Sequence, residues 1–190
     1  MKILVACEYS GVVRDAFIRA GHEAMSCDLL PTESDGPHYQ GDVFDVIGDG
    51  WDMMIAHPPC TRLCNSGVCW LDERNLWAEL DEGAAFFRAL LEYEDIPMRA
   101  IENPIPHKYA VERIGRKYDQ IIQPWQHGHG ETKATCLWLE GLPKLMPTDV
   151  VTGRRQRLHY LPPTKGRSKI RSMTYQGIAS AMADQWGDIP

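Results

Sequence analysis

The chain is expected to be an α/β protein with a doubly wound, mostly parallel sheet and a late antiparallel hairpin. Three observations predict it. Short apolar, strand-like runs alternate with segments of helical period along most of the sequence. Each run ends in a polar or proline-marked loop, as strand ends do in such sheets. Two strand-like runs near residue 130 are separated by only a glycine-rich turn, too short for a parallel crossover.

The elements follow in order. "KILVAC" (2–7) is a β-branched-rich run that suits a buried parallel strand. In "GVVRDAFIRAG", Val13, Ala16, Phe17 and Ala20 share a face and Gly21 supplies a stop, which predicts a helix. Residues 22–28 read as a second strand ending at Asp28. The stretch 29–50 is loop-rich, with a brief strand before "GDVFDV" (41–46), and "WDMMIAH" (51–57) is a strand that ends in "PPC". Leu76, Leu80, Ala84, Phe87 and Leu91 predict one long helix over about 70–94. "MRAIENP" (98–104) is a strand cut off by Pro104, and "AVERIG" a short helix. "YDQIIQPW" and "KATCLWLEG" form the antiparallel pair, and "TYQGIASAMADQW" closes the chain as a helix.

The 190 residues suit one domain, 1–190, with enough chain for a sizeable core. No apolar run reaches the ~18 residues of a membrane span, and the apolar start is too short for a signal peptide. A cytoplasmic protein with six reduced cysteines is expected. The net charge of −6 hides an asymmetry. Between Gly153 and Ala183 there is no acidic residue but seven cations: Arg154, Arg155, Arg157, Lys165, Arg167, Lys169 and Arg171. That segment is either a solvated basic loop or a phosphate-contacting patch, because nucleic-acid affinity follows local charge.

The loop after the first strand holds one glycine, Gly11, where a pyrophosphate site needs several. S-adenosylmethionine carries no phosphate. Asp28 at the next strand end is placed to accept ribose hydroxyls, and Asp42 to meet an adenine amino group. Each acid alone is as well explained as a cap or loop residue. Their order together favours an adenosine cofactor without pyrophosphate.

Cys60 and Glu102 follow two different strands. Alone, Cys60 reads as a small buried hydrophobe and Glu102 as a structural carboxylate. Together they match a known chemical need. Carbon 5 of a pyrimidine is a poor nucleophile until a thiolate adds at carbon 6 while an acid engages N3. The cysteine would need an electropositive setting, and the glutamate, held by Asn103 and its neighbours, a raised pKa. A metal reading of Cys60, Cys64 and Cys69, completed by His127 and His129, is weaker, because the spacing fits neither a zinc nor a cluster pattern and "HGHG" reads as a turn; no metal is expected.

These motifs, in this order, resemble the S-adenosylmethionine-dependent DNA cytosine-5 methyltransferases, in particular short phage and prophage versions. "ACEYSGVVRDAF", "CDLLP" and "GDVFDV" are similar to the cofactor motifs, "HPPCTRLCNSG" to the Pro-Cys motif, and "ENP" to the Glu-Asn-Val motif. "GHGETKATCLWLEG" is similar to the late hairpin that carries Arg-x-Arg, and "YQGIASAMADQW" to the closing helix. The resemblance implies a Rossmann-like fold, with Cys60 as nucleophile and Glu102 as the N3 proton donor. It places Lys133 at the first arginine of Arg-x-Arg, and Tyr9, Ser10, Gly11, Asp28, Asp42 and Pro58 around the cofactor. Thr61, Pro104 and Thr135 stand where the family has Gln, Val and the second Arg. The large recognition domain is replaced by the basic segment 148–172, leaving Arg154, Arg155, Arg157, Arg167 and Arg171 to contact DNA. The implied activity is DNA cytosine-5 methylation of short or relaxed sequence preference, in a phage or prophage setting. RNA, single-stranded DNA or a free cytosine nucleotide remain alternative substrates. Amino-group methylation is disfavoured by His57 before and Cys60 after Pro-Pro, and an inactive nucleic-acid-binding module is the remaining alternative.

Overall fold

The computed structural model describes residues 1–158, 160–164 and 166–189, without the side chain of Ser168. Lys165 of the basic segment therefore lies outside the described residues. Seven strands form one sheet: β1 (Lys2–Ala6), β2 (Glu23–Asp28), β3 (His38–Gln40), β4 (Met53–Ala56), β5 (Met98–Pro104), β6 (Gln120–Ile122) and β7 (Thr135–Glu140). Their spatial order is β3-β2-β1-β4-β5-β7-β6. β1 to β5 pair in parallel, while β7 runs antiparallel to both β5 and β6. The expected doubly wound sheet with a late antiparallel pair is what forms.

Helices cover both faces: α1 (Val12–Arg19), α2 (Trp70–Glu73), α3 (Trp77–Leu91), α4 (Lys108–Ile114), α5 (Arg167–Ser172) and α6 (Gln176–Trp186). Alternation along each buried strand divides the core into two layers. Leu4, Ala6, Met54 and Ala56 face the layer of α3 and α4, with Leu80, Phe87, Ala110 and Ile114. Ile3, Val5, Met53 and Ile55 face the layer of α1 and α6, with Phe17, Ile178, Met182 and Trp186.

Three sequence expectations change. The long helix over 70–94 breaks into α2 and α3, because Asn75 adopts a left-handed φ of 51°. Trp77 restarts the helix, its indole N–H donating to Asp72 Oδ1 at 3.0 Å. Ala20 is exposed, and the buried face of α1 instead includes Arg14, whose side chain is fully buried. The basic segment is not loop throughout, since it contains α5. No helix among the described residues is long and apolar enough to cross a membrane.

Candidate active site

The site is assembled at the carboxyl ends of the parallel strands. Register places it: Ala6 lies beside Ala56, and Ala56 beside Ile101. The next residues, His57 and Glu102, are therefore neighbours. His57 Nδ1 lies 3.0 Å from Glu102 Oε2, with side chains 12% and 16% exposed. Lys133 precedes β7 and reaches the same place, and Thr135 opens that strand beside Pro104. A small cavity of about 10 Å³ is lined by His57, Glu102, Lys133 and Thr135, and closed by Thr174, Tyr175, Ile178 and Met182. It has room for about one water-sized group, so a pyrimidine enters only if the segment before α6 moves. Lys133 Nζ donates to Met173 O at 3.1 Å, which ties that segment down.

Glu102 differs electrostatically from the sequence expectation. Burial works to raise its pKa, but the hydrogen bond and charge of His57, with Lys133 and Thr135, outweigh it and hold the carboxyl below 4.5. The expected raised pKa is overturned because the neighbours are cationic. Nor does Asn103 hold Glu102. It lies on the opposite face of β5, and its Nδ2 donates to Pro58 O at 3.1 Å. For His57, burial works to lower the pKa, but the hydrogen bond and charge of Glu102, aided by Glu8, raise it above 6.5. Each member of the pair thus favours the charged form of the other.

Two prolines after β4 deliver Cys60 into a helical turn, in which the backbone N–H groups of Leu63 and Cys64 both donate to Cys60 O at 3.0 Å. Cys60 is half-buried and Cys64 buried. Their sulfurs interact as a pair. The Cys60 thiol donates to Cys64, which raises the Cys60 pKa, with burial and the Glu102 charge adding to the effect. Cys64 is lowered to about 5, first by that hydrogen bond and then by Ser66, whose Oγ is 3.0 Å from Cys64 Sγ. Cys64, burial and Glu102 raise Cys60 rather than lower it, so the resident thiolate is on Cys64, and one proton is shared by two sulfurs. Ultraviolet absorbance should therefore show one thiolate persisting to about pH 5, and Cys64→Ser should abolish it. Unchanged absorbance in that variant would refute the assignment. All six cysteines are free, Cys69 is exposed, and no cluster of three or more metal-ligating side chains occurs among the described residues.

A second concavity, a cleft of about 440 Å³, lies outside β1 and β2 and is lined by Tyr9, Leu30, Pro31, Glu33, Lys169 and Ser172. Tyr9 Oη and Ser172 Oγ are 3.3 Å apart, and Lys169 pairs with Glu33, so α5 lies across this cleft. The other candidate cofactor residues have local partners. Ser10 Oγ donates to Glu8 Oε1 at 3.1 Å. Asp28 Oδ1 accepts from Leu30 N at 2.9 Å, and Asp42 Oδ1 from Phe44 N at 3.0 Å. Both acids raise the pKa of Cys7, to about 12, after burial as the larger cause, so they face a common region past β1. Pro58 is buried between β4 and β5 by its bond to Asn103. Gly11 has a φ of 73°, and a Cβ there would lie 2.1 Å from Ser34 Oγ and 2.4 Å from Arg14 Nη2. Its close approach is thus to the 32–37 loop rather than to an open cofactor surface.

Glu8 and Arg14, which sequence reasoning missed, organise this end. Glu8 is buried and accepts from the backbone N–H groups of Val13 at 2.8 Å and Arg14 at 3.3 Å. Its carboxylate occupies the N-terminus of α1, where dinucleotide enzymes seat a pyrophosphate. The available signal was an acid shortly before a helix start.

The basic segment crosses the sheet's carboxyl edge. Its first part lies along residues 125–132, with Val151 N donating to Trp125 O and Arg155 N to Gly130 O. Arg154 stacks on Trp125, 3.5 Å from the ring centroid, and Arg157 pairs with buried Glu131 at 2.9 Å. These two side chains therefore have internal partners, although both remain solvent-exposed. Arg155 and Arg171 are exposed, while Arg167 is half-buried with its Nε unpartnered among the described residues.

The sheet order and the antiparallel β7 define a Rossmann-like methyltransferase fold. Among solved structures the chain is similar to an E. coli protein described as a "putative DNA modification methyltransferase encoded within prophage", with a TM-score of 0.51 and 15% identity. The match covers 86% of this chain but 56% of that one, so this chain corresponds to little more than half of its neighbour. The Entamoeba histolytica methyltransferase EhMeth aligns at a TM-score of 0.49 and 14% identity, over 80% of this chain and 57% of that one. No protein-family model and no curated protein matches the chain.

Proposed function

We propose that the protein transfers a methyl group from S-adenosylmethionine to carbon 5 of cytosine in DNA through a covalent Cys60 adduct. One observation carries this reading: the Cys60–Cys64 dithiol follows β4 and His57 within electrostatic reach of Glu102, and His57, Glu102 and Lys133 line one cavity. A thiol and an acid–base group on one side of a flat heterocycle are what addition at carbon 6 and proton exchange at N3 require. Cys60 adds as its thiolate once the shared proton has passed to Cys64. The His57–Glu102 pair handles the proton at N3, and Lys133 supplies fixed positive charge to the polarised base.

The second concavity, the cleft outside β1 and β2, fits the cofactor. Glu8 already fills the α1 N-terminus, which disfavours a pyrophosphate and suits a ligand without phosphate. Tyr9, Leu30 and Pro31 line it with apolar surface, and Asp28 and Asp42, outside that lining but both acting on Cys7, would supply acceptors for ribose and adenine. When bound, S-adenosylmethionine supplies the electrophilic methyl group. Arg155, Arg167 and Arg171 then serve the DNA backbone, and the short span of the basic segment supports few base contacts, hence a short or relaxed target sequence.

Incubation with S-adenosylmethionine and duplex DNA containing 5-fluorocytosine should trap a stable protein–DNA adduct, absent in Cys60→Ala. Methyl transfer that survives Cys60→Ala without an adduct would sink the covalent reading. Adducts only with RNA or single-stranded DNA would move the substrate assignment, and neither adduct nor methylation would leave a binding module.

A further inference from the structure

We propose that His57 is a catalytic residue: its Nε2–H protonates N3 of the target cytosine, and Glu102 is a positioning carboxylate acting through it. This inference rests on the cytosine-methylation reading above. The geometry distinguishes the two ring nitrogens. Nδ1 faces Glu102 Oε2 at 3.0 Å, whereas Nε2 is buried and has no partner among the described residues. A buried ring nitrogen without a partner is uncommon, and here its ring lines the cavity shared with Lys133, Thr135 and Tyr175. The carboxylate accepts Nδ1–H and so fixes the tautomer, leaving Nε2 as the nitrogen that exchanges a proton with a ligand.

Glu102 itself is poorly suited to donate. Its neighbours His57 and Lys133 lower its pKa and favour the carboxylate, whereas Glu102 raises that of His57 and favours the imidazolium. The charged groups acting on the imidazole come from three sides: Glu102 on β5 and Glu8 after β1 favour its cation, and Lys133 before β7 opposes it. Tyr175 faces it across the cavity. The Cys60 thiol proton passes to the Cys64 thiolate, which leaves Cys60 as the attacking thiolate. The bond from Cys60 Sγ to carbon 6 forms as the carbon 5–carbon 6 π pair shifts to carbon 4–carbon 5. The carbon 4–N3 π pair moves to N3, which takes the Nε2 proton. Neutral imidazole remains, its Nδ1–H still bonded to Glu102. On reversal N3 returns the proton.

The step precedes methyl transfer, so it can be read without the methyl donor. Addition at carbon 6 makes carbon 5 exchange its hydrogen with water, and duplex DNA tritiated at carbon 5 of cytosine reports it as tritium release. The wild-type protein should release tritium, and Cys60→Ala should not. His57→Gln should be slower by about 100-fold or more. Wild-type exchange should fall as pH rises through the His57 titration, because Nε2 must be protonated, and that falling limb should vanish in His57→Gln. Nitrogen-15 NMR of wild-type imidazoles, which needs no variant to fold, should show His57 titrating above 6.5. The same resonance should titrate lower in Glu102→Gln. Folded His57→Gln exchanging within about threefold of wild type with an unchanged pH profile would overturn the role. So would a wild-type His57 titration at or below 6.5. If the wild-type protein gives neither exchange nor a 5-fluorocytosine adduct, the underlying reading fails, a result distinguishable from failure of the His57 role alone.

Discussion

Glu102→Gln should reduce methyl transfer by about 10²–10⁴-fold, the range for losing an acid–base group or its orienting carboxylate. The substitution keeps the shape and an acceptor for His57 Nδ1 but removes the charge. Three consequences follow from that one change. The imidazole loses the hydrogen bond and charge that raise its pKa, so less of it is protonated at a given pH. Lys133 loses its anionic neighbour. Cys60 loses the carboxylate that helps hold its thiol up, so it becomes more acidic while activity falls. A variant in which Cys60 alkylates faster yet DNA is methylated more slowly would be the diagnostic combination. Methylation within about threefold of wild type would show that the pair does not serve the chemistry.

The same pair gives a stability signature with a definite sign. Glu102 is lowered on folding, so its contribution is present above 4.5 and is lost as pH falls through the lower folded value. His57 is raised on folding, so its contribution is complete below 6.5 and is lost as pH rises through the higher folded value. The pair therefore stabilises most between pH 4.5 and 6.5. Denaturant midpoints should fall most for Glu102→Gln inside that window, by the equivalent of about 1–3 kcal/mol, and less above it.

The sheet was legible because its strands are nearly continuous apolar runs, and burial on both faces leaves little else for "KILVA" or "MMIA" to be. The positions of Cys60 and Glu102 were legible for a related reason: a strand and its proline stop announce where a parallel sheet presents its carboxyl end. Their protonation states were not. Glu102 looks from sequence like a carboxyl beside Asn103, but alternation turns Asn103 away and register brings His57 alongside. Register across strands is set by tertiary packing, so no local spacing reveals the 57–102 contact. The Cys60–Cys64 pairing was nearer to hand, since residues four apart meet in a helical turn, although the prolines gave no sign that such a turn would follow. Glu8 and Arg14 were hidden in another way: a charged residue on the buried face of a short helix contradicts the binary pattern, and only its partners explain it.

Arg14 carries the second large expected effect. Its guanidinium is fully buried and donates to Ser26 Oγ at 3.0 Å, Ser34 Oγ at 2.6 Å, and the carbonyls of Ser34, Asp35 and Pro37 at 3.2–3.4 Å. It also pairs with Asp15 at 2.8 Å. One side chain on α1 thus holds the 32–37 loop, which continues directly from Leu30 and Pro31 of the cleft proposed for the cofactor. Arg14→Ala would leave that loop's carbonyls without their donor, open a large cavity and leave Asp15 with only Ser34 Oγ as a side-chain partner among the described residues. The expected destabilisation is about 3–5 kcal/mol, as for breaking a buried charged network. Arg14→Lys should recover little of it, because an ammonium is a point charge and cannot span acceptors spread over Ser26, Ser34, Asp35 and Pro37. The functional consequence separates this role from the chemistry at Cys60. Where Arg14→Lys still folds, affinity for S-adenosylmethionine and its demethylated product, measured by calorimetry, should drop about tenfold or more as the cleft wall loosens. Cys60-dependent tritium exchange, which needs no methyl donor, should change much less. An Arg14→Lys protein with wild-type melting and wild-type cofactor affinity would show that the loop holds itself, and that the buried guanidinium is not what shapes the cleft.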